Sequence, residues 1–253
     1  MLNNDLIQAV LNAYDDVDKS HGSLHIQQCL KNAEFGYHKT DFQNCGSDFL
    51  SEDFVYLCVA MHDIGLSSSM CKEAGIVNVE DSKVRREFHN TNSAQIFDTI
   101  FDTIQYPEAH AEYRKTMPKI FSIIDAGFGE VVFNEQLLAV GSHAILHHRA
   151  SVLQITVLDK FLRTCDGINS AEDIIYRHVL HNYYVNGIKD FDELFYNVKN
   201  HLVKKYTGPD AYAKQVPLAW GNVKYQEELK KLKSFSVVQT RDLAKKYFDE
   251  ETK

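Results

Sequence analysis

The chain is poor in residues that break regular structure, with four prolines and twelve glycines in 253 positions. That scarcity excludes a collagen-like, linker-rich or largely disordered polypeptide. Long apolar runs are also missing. The longest, Phe54 to Met61, falls far short of the roughly 20 residues that span a bilayer, so no membrane partner is expected. Met1-Leu-Asn-Asn-Asp5 carries no basic segment ahead of an apolar one, so no secretory leader is expected. Cysteine is sparse: Cys29, Cys45, Cys58, Cys71 and Cys165 are odd in number and form no C-x-x-C pair. This fits reduced thiols in a cytoplasmic protein better than a disulfide framework.

What is present is a soluble, globular composition, 44% hydrophobic and 25% charged. The net charge of −8 is uneven. Residues 1–203 hold 16 Lys and Arg against 28 Asp and Glu, whereas residues 204–253 hold 11 against 7. An acidic body disfavours a nucleic-acid partner, because counterion release needs clustered Lys and Arg. The basic tail reads as a solvated helix face, a cover for the core or a subunit contact; self-association is left open.

Helical spacing dominates. Leu6, Ile7, Val10, Leu11 and Tyr14 predict a helix over 3–18, and Leu24, Cys29, Leu30, Ala33 and Tyr37 another over 24–37. Ser51 is a candidate cap before Glu52 to His62, with Gly65 closing that helix, and Ser82 a cap for a helix to about Ile104. Pro118 opens a short helix. Further helices are predicted at 134–148, 151–167, 171–186 and 190–204, with an extended excursion at Gly127 to Phe133. The polar stretch Ser67 to Asp81 is a lid or a connection. Gly208-Pro209 marks a boundary. The reading is an all-α bundle over residues 1–207 with a helical C-terminal appendage over 208–253.

Twelve histidines matter less than their order. His21, His25, His62-Asp63, His89, His143, His147-His148 and Asp166 form a series of imidazoles and carboxylates. Such donors suit Mn, Fe, Co, Ni or Zn, whereas hard-oxygen Ca sites use no histidine. His143 and His147 stand four apart on one helix face, and such faces can aim ligands into a bundle. A His-Asp dipeptide is expected about once by chance in a chain of this composition. His62-Asp63 gains weight because it ends the apolar run Phe54 to Met61, where a polar pair needs partners.

In this order the chain resembles the HD-domain superfamily of metal-dependent phosphohydrolases. The matching pieces are Ser20-His-Gly-Ser-Leu-His25 with its following helix, Ala60-Met-His62-Asp63-Ile-Gly65, Glu87-Phe-His89 with Ser93-Ala94, and Leu162-Arg-Thr-Cys-Asp166-Gly167. The ordered set H…HD…H…H…D runs over residues 20–168. The resemblance implies an HD-domain helical bundle in which His25, His62, Asp63 and Asp166 hold a first divalent transition metal. In two-metal branches Asp63 bridges to a second ion held by His89 and one of His143, His147 or His148, of which His147 matches best by its distance to Asp166. It implies hydrolysis of a small-molecule phosphate ester, a nucleotide foremost, by metal-activated water, with His89, His147 and Asp63 in catalytic roles. Two ions would clamp a phosphoryl group and acidify a water between them.

His21, Lys72, Arg85 and Arg163 are the candidate substrate contacts. Many family members have a lysine soon after the HD pair, but here the stretch reads Leu66-Ser-Ser-Ser and Lys72 comes later. Asp159 is expected to pair with Arg163, four residues on. His178, His181, His38, His110 and His201 read as structural. Two other functions fit the same ligands: a mixed-valence di-iron oxygenase of this fold acting on a small organic substrate, and a non-catalytic metal-binding regulatory protein.

Overall fold

A computed structural model of the protein describes residues 4–18, 20–43, 50–106, 112–184, 186–207, 216–236, 238–239 and 241–242. The architecture is all-α, and no strand occurs among the described residues. The principal helices are α1 (Asn4–Asn12), α2 (Ser23–Tyr37), α3 (Glu52–Met61), α4 (Ser82–Gln105), α5 (Pro118–Asp125), α6 (Glu135–His147), α7 (Val157–Gly167), α8 (Ala171–Tyr184), α9 (Phe191–Thr207) and α10 (Trp220–Ser234). No helix among these residues is long and apolar enough to cross a membrane.

The apolar run that stood out in the sequence is the axis of the bundle. Ser51 caps α3 by accepting from the Phe54 amide. Beyond the cap, every residue from Phe54 to Met61 except Tyr56 is buried. Helices α1, α2, α6 and α7 pack around α3. Full burial of one such large apolar side chain contributes about 1.5–3 kcal/mol. An axis that is apolar on nearly all sides therefore fixes where its polar end, His62-Asp63, must sit.

After α3 the chain makes a 3₁₀ turn, Ile64–Leu66, against α4. Gly65 permits this approach. A Cβ there would lie 2.3 Å from the His89 carbonyl oxygen and 2.5 Å from the Ser93 nitrogen. The Gly65 amide instead donates to Ser93 Oγ at 2.8 Å. The turn carrying Asp63 and the helix carrying His89 thus meet backbone to backbone.

Several local expectations are corrected. Asp81, not Ser82, caps α4, accepting from the Lys83 amide. The stretch 127–133 is not extended: Gly127 takes a left-handed φ of 107° and Phe128–Val131 forms a helical turn. Helix α7 begins at Val157, because Thr156 and Asp159 form a reciprocal capping box there. The first half of the Ser67 to Asp81 stretch is a packed connection. Ser68–Glu73 is helical with Met70 and Cys71 buried, and Glu73 accepts from the amides of Lys119 and Ile120.

The C-terminal segment over 216–235 is built into the core. Val216, Leu218, Trp220, Tyr225 and Leu232 are buried in the same apolar cluster as α3. Trp220 lies over Gly36 of α2, where a Cβ would come within 2.4 Å of its ring. Its ring also meets Phe161 of α7 at 5.7 Å. Asn32 ties the layers together by donating to the carbonyls of Cys165 and Ile168 and accepting from Lys224. The expected boundary at Gly208-Pro209, as well as Cys45 and His110, lies outside the described residues.

Candidate metal centre

Five separate elements bring the ordered His/Asp series to one point. His25 comes from α2, His62 and Asp63 from the end of α3, His89 from α4, His148 from the C-cap of α6, and Asp166 from α7. His25, His62 and Asp63 are at most 3% exposed, and His148 is 1% exposed.

The tautomers are set by backbone bonds. The Nδ1 atoms of His62, His89 and His148 lie 2.7, 2.8 and 2.6 Å from the carbonyls of Val59, Arg86 and Ile145. A carbonyl can only accept, so each Nδ1–H donates, and in the neutral ring each Nε2 is a bare lone pair. All three Nε2 atoms point at Asp63.

The donor atoms fall into two groups. Around Asp63 Oδ2, His62 Nε2 lies at 3.5 Å and His25 Nε2 at 3.7 Å, and His25 Nε2 is 3.2 Å from Asp166 Oδ1. Around Asp63 Oδ1, His89 Nε2 lies at 3.3 Å and His148 Nε2 at 3.4 Å, with 3.3 Å between the two nitrogens. Donors sharing one ion at about 2.1 Å stand roughly 3.0–3.4 Å apart, so both groups have the right scale. By ligand atom, His25, Cys29, His62 and Asp166 lie mutually within 4.8 Å, as do His62, Asp63 and His148. These residues could hold a metal ion.

Burial and charge fit that use. His62 Nε2 and Asp63 Oδ1 are buried without a hydrogen-bond partner, a costly state that a cation would relieve. Burial pulls His25 down to about 4, reinforced by Arg177 and opposed by Asp166 and Asp63. Burial likewise lowers His89 to about 4 against the pull of Asp63. Burial pushes the Asp63 and Asp166 carboxyls up, but the imidazoles around Asp63 in their protonated form, and Arg163 and His25 beside Asp166, hold both well below the usual carboxylate range. The centre therefore consists of ionised carboxylates and ligand-ready imidazoles.

His148 occupies the place expected of His147. The His147 ring instead stacks on His143, with 4.0 Å between centroids, and its Nδ1 donates to the His143 carbonyl. His143 turns to Asp159 at 3.1 Å. A signal for His148 exists in the sequence: Leu137, Gly141 and Ala144 mark the buried face of α6, and position 148 continues it.

The centre floors a pocket of about 200 Å³. His21 and Arg163 line it, and so do Arg149, Arg177, His178 and Lys205. Arg163 pairs with Asp166, not with Asp159, whose carboxylate serves the α7 capping box. Lys72 and Arg85 do not line this pocket. Lys72 is exposed and paired with Glu80 at 2.9 Å. Arg85 donates to the carbonyls of Leu66, Val79 and Glu80, stapling the connection. A second cavity of about 380 Å³ shares His21 and His178 with the first. His181 lines that second cavity and faces Asp18 at 3.7 Å.

No family model, curated protein or solved structure matches the chain.

Proposed function

We propose that the protein is an HD-fold, metal-dependent phosphohydrolase that cleaves a small-molecule phosphate ester, a nucleotide foremost, in the cytoplasm. The observation that carries this reading is the double donor cluster on Asp63. One oxygen faces His89 and His148, and the other faces His25 and His62, with Asp166 beside them. Its order along the chain matches the HD-domain series.

A divalent transition metal at this centre, one ion or two, supplies Lewis-acid polarisation of a phosphoryl oxygen and acidification of water. The chain supplies everything else. Asp63 and Asp166 provide anionic donors, and the backbone-anchored imidazoles present fixed lone pairs. Arg149 and Arg163 line the same pocket and favour a phosphate over an uncharged organic substrate. The adjoining cavity offers room for the alcohol side of the ester. Cys29, Cys58, Cys71 and Cys165 are free and buried, which fits a reducing compartment.

The test is metal analysis of the purified chain, followed by a screen of phosphomonoesters, phosphodiesters and nucleotides with Mn, Fe, Co, Ni and Zn. Metal-dependent release of phosphate or nucleotide supports the reading. Oxygen consumption by an iron-loaded, reduced form without ester cleavage would replace it with the di-iron oxygenase. Bound metal with neither activity would leave a regulatory protein.

A further inference from the structure

A guanidinium taken out of water is costly unless an anion meets it. Arg177 is 2% exposed and lines the pocket over the metal centre. Its Nη1 donates to the Ser20 carbonyl and its Nη2 to Asn169 Oδ1 at 2.6 Å. Its Nε is buried with no hydrogen-bond partner. These contacts hold the group in place, but both acceptors are neutral, and the nearby carboxylates of Asp173 and Asp166 act on it only through space. Arg163, in the same pocket, is by contrast paired with Asp166.

Lys205, on α9, is a second cation on the same wall. Its Nζ stands 5.3 Å from the Tyr206 ring centroid, a contact that orients an ammonium without neutralising it. His178, between the two cavities, registers the crowding of positive charge. Burial first, then Arg177 and Lys205, bring its pKa down to about 3, so it adds no charge of its own near neutrality. Meanwhile the two lateral cations expected to contact substrate, Lys72 and Arg85, are engaged elsewhere.

We propose that Arg177 and Lys205 form an anion site that takes the phosphate of the substrate and binds it even without metal. It deepens the phosphohydrolase reading and rests on the same pocket, but its chemistry is separable. A guanidinium held only by neutral acceptors and an ammonium lining the same pocket match the charge of a phosphate dianion.

The experiment is calorimetric titration of inorganic phosphate into the full chain after chelation of metal. The expected result is saturable binding, weakened about tenfold by Lys205→Met and abolished by Arg177→Gln. Arg177 also ties Ser20 to Asn169, so circular dichroism must show that Arg177→Gln is folded. If it is not, Lys205→Met, on an exposed side chain, decides alone. Absence of phosphate binding by the metal-free wild type, or wild-type affinity in a folded Arg177→Gln or in Lys205→Met, overturns the inference. Ester hydrolysis without metal-free phosphate binding would sink this site and leave the proposed function standing. Phosphate binding without turnover of any ester under any metal would do the reverse.

Discussion

The Nε2 atoms of His89 and His148 stand 3.3 Å apart, and each lies within 3.4 Å of Asp63 Oδ1. Both rings spend their Nδ1–H on their own helix backbone. Three electron-rich atoms therefore face one another, an arrangement that is repulsive until a cation sits among them. Outer bonds of this kind fix the tautomer and aim of metal-ligating histidines.

Asp63→Asn keeps the shape of the side chain and removes the charge shared by both donor groups. We expect loss of bound metal by elemental analysis and loss of ester hydrolysis. Wild type should gain thermal stability on metal addition, about 2.7 kcal/mol at a hundredfold excess over Kd, and the variant should not. Full activity in Asp63→Asn would remove this residue from the centre.

His148→Ala and His147→Ala should separate cleanly. If two ions bind, His148→Ala should lower the metal content from two toward one per chain, whereas His147→Ala should leave it unchanged. Equal metal content in the two variants would contradict the geometry around Asp63 Oδ1.

The metal-free chain should lose stability on acidification. His25 and His89 titrate near 4 and His178 near 3 in the folded state, against about 6.5 when unfolded. The unfolded chain therefore binds more protons across that window, and stability falls as pH drops from roughly 6.5 toward 4. Asp63 and Asp166, held low, act in the same direction: their contribution is present above about 3.9 and is lost below it. Melting temperatures measured between about pH 7.5 and 4.5 should fall steadily, and His178→Asn should flatten the slope. A flat wild-type profile would falsify this assignment of neutral buried histidines.

Gly36→Ala tests the seat of the C-terminal helix. The added methyl would meet the Trp220 ring, which is rigid and pressed against Phe161. We expect destabilisation of about 1–3 kcal/mol, the usual range for overpacking. In a Trp220→Leu background the same change should cost less, so a double-mutant cycle by urea unfolding should show coupling. Additive effects would mean that Trp220 does not rest on Gly36.

Much of the fold was legible because caps and apolar spacing agree. Ser51, Pro118 and the run Phe54 to Met61 each mark an element the structure contains. The helix ends were less legible. The start of α7 depends on Asp159 being drawn into a cap, and the same residue read equally well as a partner for Arg163. In the centre, His25, His62, Asp63, His89 and Asp166 stood out because each sits on a short motif. His148 was hidden beside His147, since adjacency in sequence gives no facing direction, and only the register of Leu137, Gly141 and Ala144 supplies one. Arg149, Arg177 and Lys205 carried no local signal. Arg149 reaches the pocket from the end of α6, whereas the positions of Arg177 and Lys205 depend on how α8 and α9 fold back over it, and Lys72 and Arg85 were diverted by partners that no periodicity reveals.

The contact between His25 Nε2 and Asp166 Oδ1 at 3.2 Å joins the second helix to the seventh. More than half of the chain lies between the two residues. During synthesis at roughly 5–20 residues per second, the ribosome needs on the order of 10 s to deliver Asp166 after His25. For that interval the emerging chain holds His25 and then His62-Asp63 without their closing carboxylate. The cationic wall of Arg177 and Lys205 follows later still. If the centre takes up a metal, its capture by the full donor set would be a late event in the life of the nascent polypeptide, because the closing carboxylate arrives only when about two thirds of the chain has been made.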